Sequence, residues 1–586
     1  MIKKCKELYG IIKIPTIYSL VAVLCCYVSI PPLLKDVGFS LCVLLCVLSY
    51  ISSMTIKQNG EYVFALASKW WEKVLLAILF VLFNAGLYGI VFLEDYSMDG
   101  YKLGKATYIP IALVWTVPLF LGFIRLTACL LSTPLGKKSS LTWKQRIIAF
   151  VLLIVNYGLW LYAFNPCITS YDSFVLFDQA HQMVTVPMGD GHPPFYTIVL
   201  SLLLKICDSV TFIVALQCIA FSVLLISIVN FLLKHGCKKI VAAAVYIVLG
   251  FGFNHVMQMV TLWKDIPFTI SILWLTYLLS QFVIDKFDVK LDWYVKLVIA
   301  MVFTSFFRHN GAPAAYAIAL FITLFGIFKR NIKALISIAA FVLAVVLIKG
   351  PVYSFYKVQG DSGFKYSAMA NDLMGVYYDV DNPSEELVEM VNRITDGEPG
   401  GFPYYAYYTE NSGHGLGDYS VTEFLSLYLK TFKQYPKELF KHFMQRNTVI
   451  WSIVRTEEEV ANSIDLHSDF HMDGAKYTYP KRVENVFTNI ISGITKRLTD
   501  INVVFIFAWR TAIYTLTLLA TILYTVCKKK IAGLLVSAPV LINIFVLLAA
   551  SGWTCYRYYW PTAVMAMFII PFLHIYVNCE KEDSKL

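Results

Sequence analysis

Long apolar runs alternate with short polar segments along nearly the whole chain. A run of about 20 apolar residues is long enough to cross the hydrocarbon core of a bilayer as an α-helix. The runs that fit this description lie near 11–30, 38–55, 74–93, 109–131, 145–164, 210–233, 240–259, 265–284, 293–307, 312–328, 332–350, 501–527, 531–550 and 559–578. The pattern therefore predicts an all-α polytopic membrane protein with about 14 transmembrane helices.

Two further stretches fall outside this series. Residues 194–208 are apolar but too short to span, which favours a helix that lies at the membrane interface. Residues 351–500 form the longest part without a span. Apolar residues recur there at helical spacing over 421–454, with Pro436 dividing the stretch. We therefore expect a mostly helical domain outside the membrane.

These segments divide the chain into four parts. They are an N-terminal four-helix membrane bundle at 1–131, a membrane core at 132–350 with its first outer loop at 165–209, an extracytoplasmic domain at 351–500, and C-terminal membrane helices at 501–586.

Lysine and arginine are concentrated in alternate loops, which sets the expected orientation. With the basic N-terminus inside, the loops on that same side carry Lys69, Lys73, Lys137, Lys138, Lys144, Arg146, Lys234, Lys238, Lys239, Lys286, Lys290, Lys329, Arg330, Lys333 and Lys528 to Lys530. Cytoplasmic loops are the ones enriched in these residues. We therefore expect a multi-pass protein of the plasma membrane with both termini cytoplasmic and a retained first span rather than a cleaved signal peptide.

The composition agrees with a membrane protein and argues against a nucleic-acid-binding protein. Hydrophobic residues make up 58% of the chain and charged residues 15%, against about a quarter charged in soluble proteins, and the mean hydropathy is +0.63. The net charge of +10 is spread over the loops, which argues against nucleic-acid binding. The 13 cysteines show no zinc-type spacing. Cys167 and Cys555 could form a disulfide, but free thiols are expected.

The first outer loop concentrates proton-handling groups beside the membrane. It holds Asp172, Asp178, His181, Asp190 and His192, followed by two prolines where the chain must bend. Asp172 suits a general base, or it could cap a helix that begins at Ser173. Asp178 could be a second acid or a solvated face residue, and the two histidines could be functional or ordinary loop residues. The loop is therefore the candidate active site.

Single charges stand where apolar spans meet the outside. They are Lys264-Asp265, Arg308-His309-Asn310, Arg446 and Arg557. One such cation could simply extend to water and headgroups. Several from separate segments at one rim indicate a shared phosphate site.

A carboxylate beside a cationic rim suits group transfer from a lipid phosphate to a hydroxyl. The cations would take up charge on the leaving phosphate, and the carboxylate would remove the hydroxyl proton. A divalent-metal site at His467 and His471 is an alternative feature of the outer domain, and the tyrosines at 404–408 could stack a sugar or pack the domain onto the membrane.

The segments TSYDSFVLFDQ, HPPFY, LWKDIPF, FFRHNG and CYRYYWP occur in an order that resembles the GT-C superfamily of membrane glycosyltransferases, and in particular an uncharacterised bacterial branch of it. The resemblance covers roughly 145–580; residues 1–131 match only loosely and could be an accessory bundle. It implies a GT-C-like fold and an enzyme that moves a sugar from a polyprenyl-phosphate carrier to a cell-envelope glycan or lipid acceptor on the outer face.

The resemblance also implies roles for individual residues. Asp172 would be the general base. The donor phosphate would lie on Lys264, Arg308, Arg557 and Arg446. Acceptor or sugar contacts would come from Asp190, His192, Gln179, Asp265, His309 and Asn310. Tyr171 stands where the superfamily often has a second acidic residue, which favours a reaction without a metal, and no cofactor is expected. A transporter or flippase of a lipid-linked sugar, and a polysaccharide polymerase or ligase, remain the alternative functions.

Overall fold

The computed structural model describes residues 21–26, 69–93, 105–182, 188–189, 191–360, 364–397, 415–453, 483–551 and 555–579, and the structural statements that follow refer to these residues. The first half contains α1 (Trp70–Leu93), α2 (Lys105–Ser132), α3 (Trp143–Ala163), α4 (Tyr171–Gln182), β1 (Met188–Gly189), α5 (Pro194–Ile206), α6 (Val210–Lys234), α7 (Lys239–Phe251), α8 (Phe253–Met259), α9 (Asp265–Ile284), α10 (Leu291–Phe307), α11 (Ala312–Phe328) and α12 (Ile332–Leu347). The second half contains α13 (Tyr353–Phe355), β2 (Val358–Gln359), α14 (Ser367–Asp379), α15 (Glu385–Ile394), α16 (Val421–Gln434), α17 (Pro436–Arg446), α18 (Thr448–Trp451), α19 (Val486–Asp500), α20 (Asn502–Trp509), α21 (Thr511–Cys527), α22 (Gly533–Ala550) and α23 (Tyr556–Asn578).

Nine of the described helices are long and apolar enough to cross a membrane, and there are eleven candidate spans if each bent pair counts as one. The bent pairs are α7 with α8, at 52°, and α20 with α21, at 67°. The expected all-α polytopic architecture is confirmed. Of the fourteen expected spans, 38–55 and most of 11–30 lie outside the described residues. The run near 293–307 forms the 17-residue α10, which is not among these candidate spans.

The centre of the bundle is formed by α9 and α23, most of whose residues are buried. Helix α23 packs against α21, α22 and α9, and 78% of its span from Tyr556 to Asn578 is buried. Helix α12, by contrast, leaves large apolar side chains exposed along its length. An outer helix that is apolar all round is what a lipid environment favours, since hydrocarbon replaces the protein partner on that side.

The loop before α4 is hydrogen-bonded to the segment before α9. Ile168 donates its backbone N–H to Val260 O at 3.1 Å, and Ser173 Oγ donates to Leu262 O at 3.0 Å. Trp263 Nε1 donates to Ser170 Oγ. These bonds hold the first turn of α4 against the start of α9. This end of the bundle, where α4, α9 and α23 begin, is called the rim.

A small domain with its own apolar core stands over the rim. Its helices α14–α17 enclose buried Leu373, Met390, Phe424 and Leu439, separate from the core of the membrane bundle. We call α14–α18 the rim domain. Its helices agree with the expected helical character of 351–500, and α16 and α17 meet at Pro436 as expected. The parallel pair β1–β2 joins the loop after α4 to the start of this region.

The rim domain and the residues that follow it also contact α1. Ile453 donates its backbone N–H to Gly86 O at 2.9 Å, and the Trp451 ring covers Gly89 so closely that a Cβ there would overlap it. Glycine is therefore required at 89 for this approach. The N-terminal membrane helices thus provide a support for the rim domain.

The apolar stretch 194–208 forms α5, a 13-residue helix as expected. At 1.5 Å per residue it extends only about 20 Å, too short to cross a bilayer. It packs beside α4 and against α6 and α10, with Ile206 at its exposed end.

Candidate functional site

Three of the expected site residues meet at the rim. Arg557, in the first turn of α23, places Nη2 2.8 Å from Asp172 Oδ2, and Lys264 Nζ lies 3.9 Å from the same oxygen. The Asp172 side chain keeps 19% of its surface exposed, whereas the two cations are more buried. The carboxylate is therefore held by two cations and remains accessible from solvent.

His192 belongs to this same cluster. Lys264 Nζ donates to His192 Nδ1 at 2.5 Å. Burial lowers the pKa of His192 to about 3, and the Lys264 charge acts in the same direction. The imidazole is therefore neutral near pH 7, so that its Nδ1 lone pair can accept from the ammonium.

Arg308 is held beside Arg557 by an aromatic ring. The Arg308 guanidinium lies 4.6 Å and the Arg557 guanidinium 4.8 Å from the Tyr558 ring centroid. Arg557 also lies 4.8 Å from the Trp263 ring and donates from Nη2 to the Tyr558 hydroxyl at 2.9 Å. Aromatic faces stabilise nearby cations, so Tyr558 and Trp263 hold like charges near each other.

The resemblance implies an acceptor contact for Asp265, and the structure places this side chain beside Arg308. It is fully buried at the start of α9, and Arg308 Nη1 lies 2.5 Å from its Oδ1. Lys264, Arg308 and Arg557 form what we call the cation cluster. These three cations face two carboxylates, those of Asp172 and Asp265. The group therefore has a net charge of +1. The site is thus suited to an anion such as a phosphate.

Burial opposes ionisation of Asp172, but the charges of Arg557 and Lys264 outweigh it, and the pKa of Asp172 lies well below its usual range. A carboxylate held in this way is a poor proton acceptor. An anion bound to Arg557 and Lys264 would offset their charges and raise the proton affinity of Asp172. The geometry therefore links anion binding to the basicity of this carboxylate.

Arg446 belongs to the rim domain and lies in a different cluster. It is fully buried at the end of α17; Nε and Nη2 donate to Asp372 Oδ1 and Oδ2 at 2.7 and 2.8 Å, and Nη1 donates to Ser551 O. Its donors are thus engaged within the protein, and the structure does not bring it to Asp172.

The other expected contacts are Asn310, His309, Gln179 and Asp190. Asn310 is buried and donates from Nδ2 to Asn543 Oδ1 at 2.8 Å, which joins the turn after α10 to α22. His309, beside Arg308, is exposed. The Gln179 Oε1 atom is buried and has no hydrogen-bond partner among the described residues. Asp190 lies outside the described residues.

Two of the alternatives for α4 are wrong. Asp172 does not cap a helix that begins at Ser173, because α4 begins at Tyr171 and the Asp172 carboxylate binds Arg557. Asp178 is not a solvated face residue: it is buried, and Gln182 Nε2 donates to its Oδ2 at 2.5 Å. His181 lies in the last turn of α4 rather than in a loop, and its Nε2 lies 3.1 Å from Asp208 Oδ1.

Among the described residues, no group of three His, Cys, Asp or Glu side chains is arranged to hold a metal ion. His467, His471 and the tyrosines at 404–408 lie outside those residues. Cys167 and Cys555 are both buried, and no disulfide joins them to each other.

An apolar cavity of about 520 Å³ begins beside the cluster, between α5, α6, α9 and α10. At this end it is lined by Tyr196, Pro267 and Phe307, which are close in sequence to His192, Asp265 and Arg308. It continues along α9 to Tyr277, about 15 Å further at 1.5 Å per residue. Val223 on its lining is 55% exposed, so the cavity opens towards lipid. Its shape and lining suit a hydrocarbon chain.

Trp263 and Tyr558 belong to the site but were not among the residues predicted from the sequence, although the sequence carries a partial signal for them. Trp263 and Tyr558 each adjoin a cation in the motifs LWKDIPF and CYRYYWP, and aromatic neighbours of a buried cation are candidates for cation–π contacts.

Comparison of the chain with protein-family models, curated proteins and solved structures gives no match.

Proposed function

We propose that this protein is a membrane glycosyltransferase that moves a sugar from a polyprenyl phosphate to a hydroxyl of a cell-envelope glycan or lipid. The observation that carries the proposal is a solvent-accessible carboxylate, Asp172, shared by two cations, with an apolar cavity nearby whose lining includes Tyr196, Pro267 and Phe307. A lipid phosphate needs a cationic site for its head and an apolar site for its tail, and this place offers both.

In the proposed reaction the donor phosphate lies on Arg557, Lys264 and Arg308, and the first part of its polyprenyl tail lies in the cavity. The bond between the anomeric carbon and the phosphate oxygen breaks, and its electron pair stays on the phosphate. Cations placed where this charge develops lower the barrier. The existing hydrogen bonds and ring contacts fix Arg557 before the reaction, which reduces the cost of ordering it.

Asp172 supplies the base. The acceptor hydroxyl forms the new bond to the anomeric carbon and gives its proton to the Asp172 carboxylate. Phosphate binding raises the proton affinity of Asp172 because it offsets the Arg557 and Lys264 charges. A single displacement of this kind inverts the anomeric carbon. His192 orients Lys264, since its neutral ring accepts a hydrogen bond from the ammonium.

The pH dependence of the reaction follows from Lys264. Burial lowers the pKa of this ammonium, the nearby carboxylates of Asp172 and Asp265 oppose the shift, and the resulting pKa is about 8. Lys264 therefore loses its charge as pH rises through about 8, and attraction for the donor phosphate falls. We expect kcat/KM for the donor to decline above that pH, since this parameter reports ionisations of the free protein.

The Lys264→Arg variant provides the test. Arginine stays protonated throughout this range, so its kcat/KM should remain flat where that of the wild type declines. An identical alkaline decline in both proteins would assign the ionisation to another group.

The function itself is tested in proteoliposomes with a radiolabelled polyprenyl-phosphate sugar, by measuring sugar transfer and donor movement across the bilayer separately. A transferase releases polyprenyl phosphate and labels the acceptor. Movement of intact donor without release would support a transporter, and products with long glycans would support a polymerase or ligase.

A cavity variant sharpens this test. Ala220 lines the cavity, while its neighbour Ile219 faces lipid outside it. We expect Ala220→Phe to raise KM for a long-chain donor by about 10-fold, the effect of losing burial for one or two CH₂ groups, and to leave a two-isoprene donor unaffected. Ile219→Phe should change neither value. Equal effects on both donors would place the tail elsewhere.

The transporter alternative has one specific observation in its favour. The two bent spans meet at their breaks, where Asn254 Nδ2 donates to Ala508 O at 2.8 Å and Phe253 contacts Trp509. Broken helices that meet are common in transporters near the bilayer midplane. Here the breaks lie about 20 and 26 Å from the helix ends opposite the rim, since α7 has 13 residues and α21 has 17. They are thus displaced towards the rim, which favours the enzyme.

The proposal also includes the orientation. The rim would face outside and both termini the cytoplasm, because Lys and Arg concentrate in the loops of the opposite end.

A further inference from the structure

Arg446 and Asn447 connect the rim domain to the corner that precedes Arg557. Both are fully buried at the end of α17. Arg446 donates to Asp372 of α14 and to Ser551 O, and Asn447 Nδ2 donates to Leu548 O at 3.1 Å. These two residues therefore hold the C-terminal end of α22.

The same pair also holds the first turn of α23. The Tyr559 hydroxyl donates to Asn447 Oδ1 at 3.1 Å. Helix α23 begins at Tyr556, so this bond connects the rim domain to the first turn of that helix. Arg557 lies in this turn, two residues before Tyr559, and extends to Asp172.

We propose that Arg446 and Asn447 are positioning residues that set the placement of Arg557, so that the seating of the rim domain controls affinity for the donor phosphate. The inference rests on the proposed function. The charge of Arg446 is balanced by Asp372 in a bidentate pair, so it acts through geometry and not through direct attraction of phosphate. The rim domain and the cation cluster are then one coupled unit.

The test uses two variants, Asn447→Ala and Tyr559→Phe. Each removes one partner of the hydrogen bond between the Tyr559 hydroxyl and Asn447 Oδ1. Loss of one or two such hydrogen bonds shifts a binding equilibrium by about 3- to 10-fold. We expect KM for the lipid donor to rise by that factor, with kcat and the acceptor KM nearly unchanged. In an Arg557→Lys background the added effect should disappear, because contacts in one network are not additive.

Asp379→Asn is the matched control. Asp379 and Asp372 both lie on α14, and Asp379 pairs with Lys441 and His442 of α17 at 2.8 and 3.0 Å on the partly exposed side of the same interface. This variant weakens the interface without removing the bonds to α22 and α23. It should lower Tm while leaving the donor KM unchanged.

Direct binding of a short-chain polyprenyl phosphate in detergent separates this inference from the proposed function. If the wild type binds the lipid without transferring sugar, the transferase proposal fails, and weaker binding by Asn447→Ala still supports the positioning role. The role is overturned if the two variants lower Tm alone, as Asp379→Asn does, if their effect multiplies unchanged with that of Arg557→Lys, or if the wild type does not bind the lipid.

Discussion

The Asp172→Asn variant is expected to lose transfer activity by about 10²–10⁴-fold, the usual contribution of a positioned general base. Asparagine retains the shape of the side chain but cannot accept the hydroxyl proton. Because Asp172 also occupies Arg557 and Lys264, its neutralisation frees both cations for the donor. We therefore expect kcat to fall while the donor KM stays constant or decreases. Purified protein and synthetic donor suffice for this measurement.

Cells provide an independent readout of the same variant. In a host deleted for the gene, Asp172→Asn should accumulate the lipid-linked sugar and lack one glycan substituent, both measured by mass spectrometry. Asp208→Asn is the matched control, since Asp208 is an exposed carboxylate that contacts His181 rather than the cation cluster. Wild-type behaviour of Asp172→Asn at normal expression would remove Asp172 as the base and favour the transporter.

Replacement of Arg557 is expected to have the next largest effect. Two different replacements distinguish its role in donor binding from its role in the stability of the fold. Arg557→Lys keeps the charge but loses the planar fork and much of the stacking on Trp263 and Tyr558. Hydrogen bonds to charged groups contribute about 1.5–3 kcal/mol, so the donor KM should rise at least about 10-fold. Steady-state kinetics with varied donor measures this.

Arg557→Ala should in addition destabilise the fold. Removal of one partner of a buried ion pair costs about 3–5 kcal/mol, and the low end applies because Asp172 is partly exposed and Lys264 remains nearby. Thermal unfolding in detergent reports this loss. Arg510→Lys is the control, since Arg510 is also buried but lies at the break between α20 and α21. It should affect Tm without changing the donor KM. A donor KM that follows Tm in all three variants would mean that Arg557 has only a structural role.

The membrane architecture could be predicted from the sequence because hydrocarbon leaves few choices. A long apolar run must satisfy its backbone internally, so runs such as 265–284 and 559–578 become helices whatever they contact. Charges at the ends of such runs lie near the membrane surface for the same reason, which is why Lys264, Arg308 and Arg557 could be assigned to one rim. Pro436 removed a backbone donor and divided a helix as expected.

Pairing within the rim depended on tertiary structure. Asp172 and Arg557 are hundreds of residues apart, and which carboxylate meets which cation depends on how α4, α9 and α23 are rotated and packed. Arg446 looked equivalent to Arg557 in sequence, yet it binds Asp372 of the rim domain. The hydropathy of 240–259 and 501–527 likewise did not indicate the bends after Phe251 and Trp509, where Asn254 donates to Ala508 O between the two spans. Hydropathy thus determined which segments cross the membrane and where their charges lie, because solvation acts on each residue locally; side-chain pairing was decided by the fold, because it depends on contacts between distant segments.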